Sequence, residues 1–446
     1  MVILIKVLQV VLALSILILI HEFGHFFFAK IFGIRVDKFY LFFDAGGVTL
    51  FSTKKCKWLH KIFPKLKDNE TDYGIGWLPL GGYCKINGMI DESMDLDAMK
   101  KDPQPWEFRT KPAWQRLLVM FGGVLMNFIL AIVLYIGILA HWGQTYFSND
   151  DNSIYVNELA YEMGFRTGDR ILSFDEYEPE NFGMLQADLV RSGANVAKVL
   201  RDGDTVSIYI DKAMIGQVLN SPGMFDLAVP FVVEDVPENS VNADTGFKSG
   251  DRVVAIDGKP ITYVQESRHL LSDFSGGVVT AAIVRCDDTL NMLVKVDTTG
   301  KIGVYTRMPD FVKKEFGFWE AIPAGCSLAY HSIADYLKDL KLVFTPSTEA
   351  YKSVGSFIAI GQVFPSTWNW YSFVNILALL SVMLGVMNLL PIPALDGGHI
   401  VFLIYEMISG RKPSDRFMEV MQMIGLLLIF GLMILAFGND IVRLLH

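Results

Sequence analysis

The sequence predicts a polytopic α-helical membrane protein with four spans and a β-rich tandem insertion between the second and third. Three observations carry this reading. Hydrophobic residues make up 52% of the 446, and the mean hydropathy is +0.35, on the membrane side of ordinary soluble composition. Four runs approach the roughly 20 apolar residues that a membrane helix needs. Between the middle two, "GFRTGDRILSFDE" (Gly164 to Glu176) returns 82 residues later as "GFKSGDRVVAIDG" (Gly246 to Gly258).

The first span occupies 1–34, with Lys6 near its start, where a long side chain can snorkel to the interface. A cleaved signal peptide also sets a lysine before an apolar run. Here no small-residue cleavage pattern follows and a polar motif begins at once, so the run is expected to stay as a span. A cytoplasmic loop is expected over 35–115. Within it 72–88 ("DYGIGWLPLGGYCKING") is rich in glycine and aromatic residues and reads as a strand pair around Pro79 to Gly82. Composition fits equally a hairpin dipping toward a membrane site and an ordinary cytoplasmic hairpin, since irregular backbone at membrane depth must be satisfied by protein or a watery cavity.

The second span is expected over 116–142, the third over 367–398 and the fourth over 419–441, with a cytoplasmic loop at 399–418. Lys30, Arg35, Lys54, Lys55, Lys57, Lys61, Lys65, Lys67, Arg109, Lys111 and Arg116 follow the first span, and Arg411, Lys412 and Arg416 precede the fourth. Basic loops stay on the cytoplasmic side, so the acidic segment of about 143–370 lies on the other. Trp142 and Tyr146 then share an outer aromatic belt with Trp368, Trp370 and Tyr371. Each copy of the repeat leads through a Gly-Asp turn into a short apolar strand, which suggests two tandem domains, at 150–225 and 226–308. Within an expected linker over 312–366, the helical spacing of Glu320 to Phe344, with apolar and charged faces, predicts an amphipathic helix on the protein or at the membrane surface.

Net charge is −9, which offers no general attraction to nucleic acid. Cys56, Cys84, Cys286 and Cys326 are far apart and form no CxxC pair, so they predict neither a cysteine zinc site nor a disulfide framework.

The chemistry lies in "ILILIHEFGHFFFAKIF" (Ile16 to Phe32). His21, Glu22 and His25 form H-E-x-x-H. Four residues apart on a helix, both imidazoles reach one ion, and Glu22 on the adjacent face can take a proton from its water. Zinc suits imidazole, and a catalytic zinc takes three protein ligands and an open position. Ionisable groups inside a span are costly and normally functional. The third ligand is expected from "NLLPIPALDGGH" (Asn388 to His399), where Pro391 and Pro393 interrupt the helix, Gly397 and Gly398 permit a tight turn, and Asp396 sits on broken backbone. Spans one and three both run inward, so His25 and Asp396 reach the same side. His399 competes for the role; its later position in the turn favours Asp396.

These motifs, HEFGH on the first span, N-x-x-P-x-P-x-x-D-G on a later one and tandem glycine-aspartate modules between them, resemble the site-2 protease family, and more narrowly its bacterial branch of regulated intramembrane zinc proteases. The resemblance covers nearly the whole chain. It implies four transmembrane helices, a membrane-associated β-hairpin at 72–88 and two extracytoplasmic PDZ-like α/β domains in a bacterial inner-membrane protein. It implies one zinc ion per chain on His21, His25 and Asp396, with Glu22 as catalytic base. It also implies that Asn388, Asn127, Gly81, Gly82 and Tyr83 face substrate. The expected substrates are single-span membrane proteins, such as anti-sigma factors or remnant signal peptides, cut in the bilayer toward the cytoplasmic side. Peptide or trimmed substrate ends are expected at the PDZ-like domains. Departures from the family pattern are Gly123-Val124 before the span-two asparagine, Gly355-Ser356 before span three, a long loop from Phe51 to Thr71, and Asp175-Glu176 in the first repeat. They touch none of the expected ligands. A non-catalytic membrane scaffold displaying PDZ modules is the rival reading; it would not need two histidines, a glutamate and a topologically matched aspartate. A soluble secreted zinc peptidase fits less well, because the motif lies inside the first span.

Overall fold

Four helices are long and apolar enough to cross a membrane, with windows at Val2–Ile31, Ala113–Trp142, Trp370–Leu389 and Arg416–Val442. They fall at the four expected spans, the third ending at Leu389 where the expectation ran to 398. The structure, a computed structural model, describes residues 2–63, 69–79, 81–89, 102–221 and 223–445. It divides into two units, residues 1–143 with 315–344 and 351–446, and residues 144–314 with 345–350.

In the first unit, α1 (Val2–Ile31) packs against α2 (Ala113–Trp142), and α2 in turn carries α3 (Phe318–Val343) and α5 (Trp370–Leu389). A short α4 (Phe357–Val363) precedes α5; α6 (Asp396–Ser409) and α7 (Asp415–Leu445) follow it. Most of the segment expected as a loop from 399 is therefore helix, to Ser409. Arg116 of α2 pairs with Glu406 of α6 at 2.5 Å, tying the two helices at the end where the basic loops lie. Small residues set the closest approaches. A Cβ at Gly325 of α3 would stand 2.6 Å from the Ile136 side chain, and Ala321 and Ala329 flank it on the same buried stripe. The expected amphipathic helix thus lies on protein, against α2 and α5, and leaves Phe318, Trp319, Tyr330 and Leu337 exposed.

α1 and α7 expose Leu4, Leu8, Ile31, Leu427, Phe430 and Ile434. Apolar surface on helices of this length is what a bilayer covers. Polar anchors hold the first turns of α1 and the last turns of α7. Gln9 of α1 donates to the Pro365 carbonyl at 2.9 Å, and Asp440 of α7 accepts from the Ser356 amide at 2.9 Å and from its hydroxyl.

A four-stranded sheet joins this bundle: β1 (Val36–Leu41), β2 (Thr49–Ser52), β3 (Asp72–Gly76) and β4 (Tyr83–Ile86), in the order β2-β3-β1-β4. The expected hairpin is corrected here. β3 and β4 do not pair with each other; β1 lies between them, parallel to β3 and antiparallel to β4. The stretch 77–82, of which Leu80 falls outside the described residues, is long enough to cross two strand spacings of about 4.8 Å. The buried Asp72 carboxylate binds the sheet together by accepting from Tyr40, Ser52 and Thr53 side chains and the Lys54 amide. Burial opposes its charge, but these four donors outweigh that and hold its carboxyl below the usual aspartate range.

The second unit holds the repeat. A terminal pair, β5 (Gln144–Tyr146) with β17 (Val312–Lys314), is antiparallel. The first module has β6 (Ile154–Val156) paired with β10 (Phe225–Leu227) and a sheet of β7 (Arg170–Phe174), β8 (Val196–Arg201) and β9 (Asp204–Tyr209), with a helix at Leu185–Ser192. In the second, β11 (Val233–Asp235) pairs with β16 (Tyr305–Thr306). Its sheet runs β13 (Lys259–Pro260), β12 (Arg252–Ile256), β14 (Val278–Arg285) and β15 (Asp288–Lys295), with a helix at Val264–Ser272. Equivalent contacts recur in the two copies. Asp169 takes Arg201 and Asp251 takes Arg285, each through two charge-assisted bonds of 2.6 to 2.7 Å, and each arginine also donates to the carbonyl of Gly164 or Gly246. Those glycines and Gly168 and Gly250 have positive φ, as the Gly-Asp turns require.

Candidate metal centre

His21 and His25 stand one turn apart on the buried side of α1, and Gly24 between them lets α2 approach to backbone contact. A Cβ on Gly24 would lie 2.1 Å from the Gly122 carbonyl oxygen and 2.7 Å from the Gly123 nitrogen. One on Gly123 would meet the His25 Nε2 at 2.5 Å and the His21 Cε1 at 2.7 Å. Glycine on both helices is therefore what admits two imidazoles into the crossing. Gly24→Ala is expected to force the helices apart, costing on the order of 1–3 kcal/mol as overpacking does. Thermal unfolding with zinc content measured alongside checks this, and an unchanged melting point would contradict the contact.

Asp396 arrives from the other side of the bundle. α5 ends at Leu389, the chain turns through Pro391 and Pro393, Ala394 takes φ +89°, and α6 begins at Asp396. The tight turn expected at Gly397 and Gly398 thus precedes the aspartate. Both glycines are buried in the first turn of α6, where a Cβ would strike the Leu390 or Ile392 carbonyl. The loop folds back on its own helix, and only glycine leaves room.

The three side chains converge. His21 Nε2 is 3.2 Å and His25 Nε2 3.3 Å from Asp396 Oδ2, and the two nitrogens are 3.3 Å apart. Among the described residues, this is the one group of three or more such side chains placed to share an ion. Ligands about 2.0–2.1 Å from a tetrahedral zinc lie about 3.3 Å from each other, so the triangle matches three corners of such a site. The chemistry of the donors agrees. Asp396 Oδ2 is buried with no hydrogen-bond partner among the described residues, as suits an atom meant for a cation. His25 Nδ1 lies 2.9 Å from the Val119 carbonyl, so it carries the proton and leaves the Nε2 lone pair facing the centre. His399 lines the same cavity but stands outside the group of three.

The cavity over these ligands has a volume of about 950 Å³. Glu22, half-buried, lines it beside His21, and so does Asn388, whose Nδ2 is 3.5 Å from His21 Nε2. Gly81, Gly82 and Tyr83 line it where the chain enters β4. A Cβ on Gly82 would meet Ile18 of α1 at 2.7 Å, so glycine is what seats the strand against the helix. Asn127 is elsewhere. It is fully buried, is not part of the cavity wall, and reaches the His21 Nδ1 at 3.0 Å from behind, where the resemblance implied a residue facing substrate.

Two charged groups in the wall, Lys38 and Asp44, had no signal in the sequence. Lys38 and Tyr83 both bond Asp44, at 2.7 and 2.8 Å. Burial works against the Asp44 charge, and Lys38 and Tyr83 outweigh it, holding the carboxyl below the ordinary range. Burial, then the carboxylate it donates to, pushes the Tyr83 phenol upward. α7 supplies Gln422, Ile429 and Met433.

A family model described as peptidase family M50 matches residues 9–432. The chain belongs to peptidase family M50. It is an intramembrane zinc metalloprotease of the site-2 protease type. Among its relatives is a Neisseria meningitidis protein named as a candidate zinc metalloprotease, 29% identical over 473 aligned residues and covering 98% of each chain. The regulator of sigma-E protease RseP of Escherichia coli is 27% identical over 475, covering 97% of this chain and 98% of its own. A Rickettsia conorii protein, also named as a candidate zinc metalloprotease, is 25% identical over 442, covering 97% and 98%. The M50 match takes in H-E-x-x-H and the Asp396 turn together, so both halves of the metal centre lie within it.

Proposed function

We propose that this M50 peptidase cuts single-span membrane proteins within or near the inner leaflet, holding one zinc ion on His21, His25 and Asp396 and using Glu22 as base. The observation that carries the reading is the triangle of three donor atoms, one from each side chain, beneath a cavity that β4 also borders. A zinc ion on these three residues would supply Lewis-acid chemistry, able to polarise a carbonyl and to lower the pKa of a bound water toward about 7.

The chain's own groups do the rest. Glu22 takes the proton from the attacking water and delivers it to the leaving amine. A helical substrate hides its amides in intrahelical bonds, so it must unwind before attack. β4 pairs with β1 on one side and is last in the sheet order, so its other edge can receive the extended segment as an added strand. Gly81, Gly82 and Tyr83 lie where that strand would run, and Asn388 is placed to hydrogen-bond its backbone. The basic loops support a cytoplasmic-side active site in a bacterial inner membrane, with the repeat modules outside as PDZ-like domains that receive trimmed substrate ends. Likeness to proteases of the RseP type supports membrane proteins as the substrate class.

The test is the purified chain in liposomes with a tagged single-span protein. Mass spectrometry should place the cut inside or at the edge of the span, a zinc chelator should stop it, and added zinc should restore it. Cleavage confined to the soluble domain, or indifferent to the chelator, would overturn the reading.

A further inference from the structure

We infer that Asn127 is a positioning residue of the metal centre, whose Oδ1 accepts a hydrogen bond from the Nδ1–H of His21 and so fixes that imidazole's tautomer and direction. The inference rests on the proposed ligand set of His21, His25 and Asp396.

Three observations meet at this side chain. His21 Nε2 faces the Asp396 Oδ2 and the His25 Nε2, so its lone pair belongs to the ion and its ring proton must sit on Nδ1. That Nδ1 lies 3.0 Å from the carboxamide nitrogen of Asn127. As placed, two donors would face each other while the Asn127 Oδ1 is buried with no partner among the described residues. The two ends of a carboxamide have nearly the same shape, and their identities follow from their partners. Turning the amide over puts the orphaned acceptor against the proton that needs it and removes the clash of donors.

The backbone explains why Asn127 can hold the ring still. Val119, Gly123 and Asn127 follow at intervals of four along one face of α2, toward His21 and His25 of α1. Val119 offers its main-chain carbonyl to His25 Nδ1, Gly123 leaves the space the rings fill, and Asn127 offers its side chain to His21 Nδ1. One helix thus supplies an acceptor for each histidine ligand, two turns apart. The backbone at Asn127 is itself held, because Ser381 of α5, fully buried, donates its hydroxyl to the Asn127 main-chain carbonyl at 2.7 Å. Acceptors in this outer position set ligand orientation and raise ligand basicity, and losing one typically costs about 10–100-fold in metal affinity.

The experiment measures zinc affinity by competition with a chelator on the full chain in detergent, comparing wild type with Asn127→Leu, Asn127→Asp, Ser381→Ala and Asp396→Ala. Asn127→Leu keeps the volume and removes the acceptor, so zinc should bind roughly 10–100-fold more weakly. Asn127→Asp presents only acceptors and should bind zinc at least as tightly as wild type. Ser381→Ala should lower the melting temperature of the metal-free protein and leave zinc affinity unchanged, separating packing from orientation. The inference is overturned if Asn127→Leu keeps wild-type affinity, or if Asn127→Asp loses zinc. The second comparison decides the matter even where Asn127→Leu does not fold. Asp396→Ala keeps the two failures apart: if it retains zinc, the ligand set is wrong, whereas if it loses zinc and Asn127→Leu does not, only the role of Asn127 falls.

Discussion

A Glu22→Gln variant is expected to purify with its zinc and to cleave a membrane substrate about 10²–10⁴-fold more slowly than wild type, the range a positioned general base contributes. The separation of the two readouts comes from geometry. Glu22 is outside the group of three donors, so replacing its carboxylate by an amide of the same shape leaves the triangle intact. It is half-buried in the cavity wall, so the exchange does not strand a charge in the core. What is lost is a group able to accept a proton beside the ligands. Zinc by mass spectrometry and cleavage of a single-span substrate in the same preparation check both halves. Equal cleavage would remove Glu22 from the reaction, and loss of zinc would make it a ligand.

Asp396→Ala is expected to have the opposite signature, with metal and activity lost together. Two imidazoles on one helix turn remain, and a catalytic zinc site holds three protein ligands. The affinity loss should exceed the 10–100-fold typical of an outer-position change, so the protein should emerge from purification without stoichiometric zinc. His399, three residues on and facing the same cavity, is the residue that could substitute. A variant that kept full zinc would point to it and revive the alternative that the sequence left open. The double substitution Asp396→Ala with His399→Ala would then decide.

Much of this centre is legible in the chain's residues alone. The two histidines announce themselves because helix geometry is local: four residues make one turn wherever the helix lies. Asp396 is legible because prolines must break a helix, and a carboxylate on broken backbone inside an apolar segment needs a reason. What the residues do not disclose is what stands behind the ligands. Asn127 looks alike facing substrate or facing an imidazole, and only the rotation of α2 about its axis separates the two. The hairpin reading fails for the same reason. Tyr83 to Ile86 do form a strand, but its partner is β1, more than forty residues earlier in the chain. Strand pairing is non-local, and nothing near Pro79 records that another strand will enter between the two. Asp44 and Lys38 reach the cavity through that same insertion, so they too carry no signal.

By itself the sequence determined the spans, the repeat and the identities of the proposed ligands, because each depends on length, period or chemistry within a few neighbouring residues. The tertiary structure decided the rest: that Gly24 and Gly123 bring two helices to backbone contact, that β1 separates β3 from β4, and that Asn127 stands behind His21. These depend on which surfaces meet. Close packing in a bundle leaves one arrangement in which an imidazole, a glycine gap and an acceptor coincide, and that arrangement exists only once the helices are side by side.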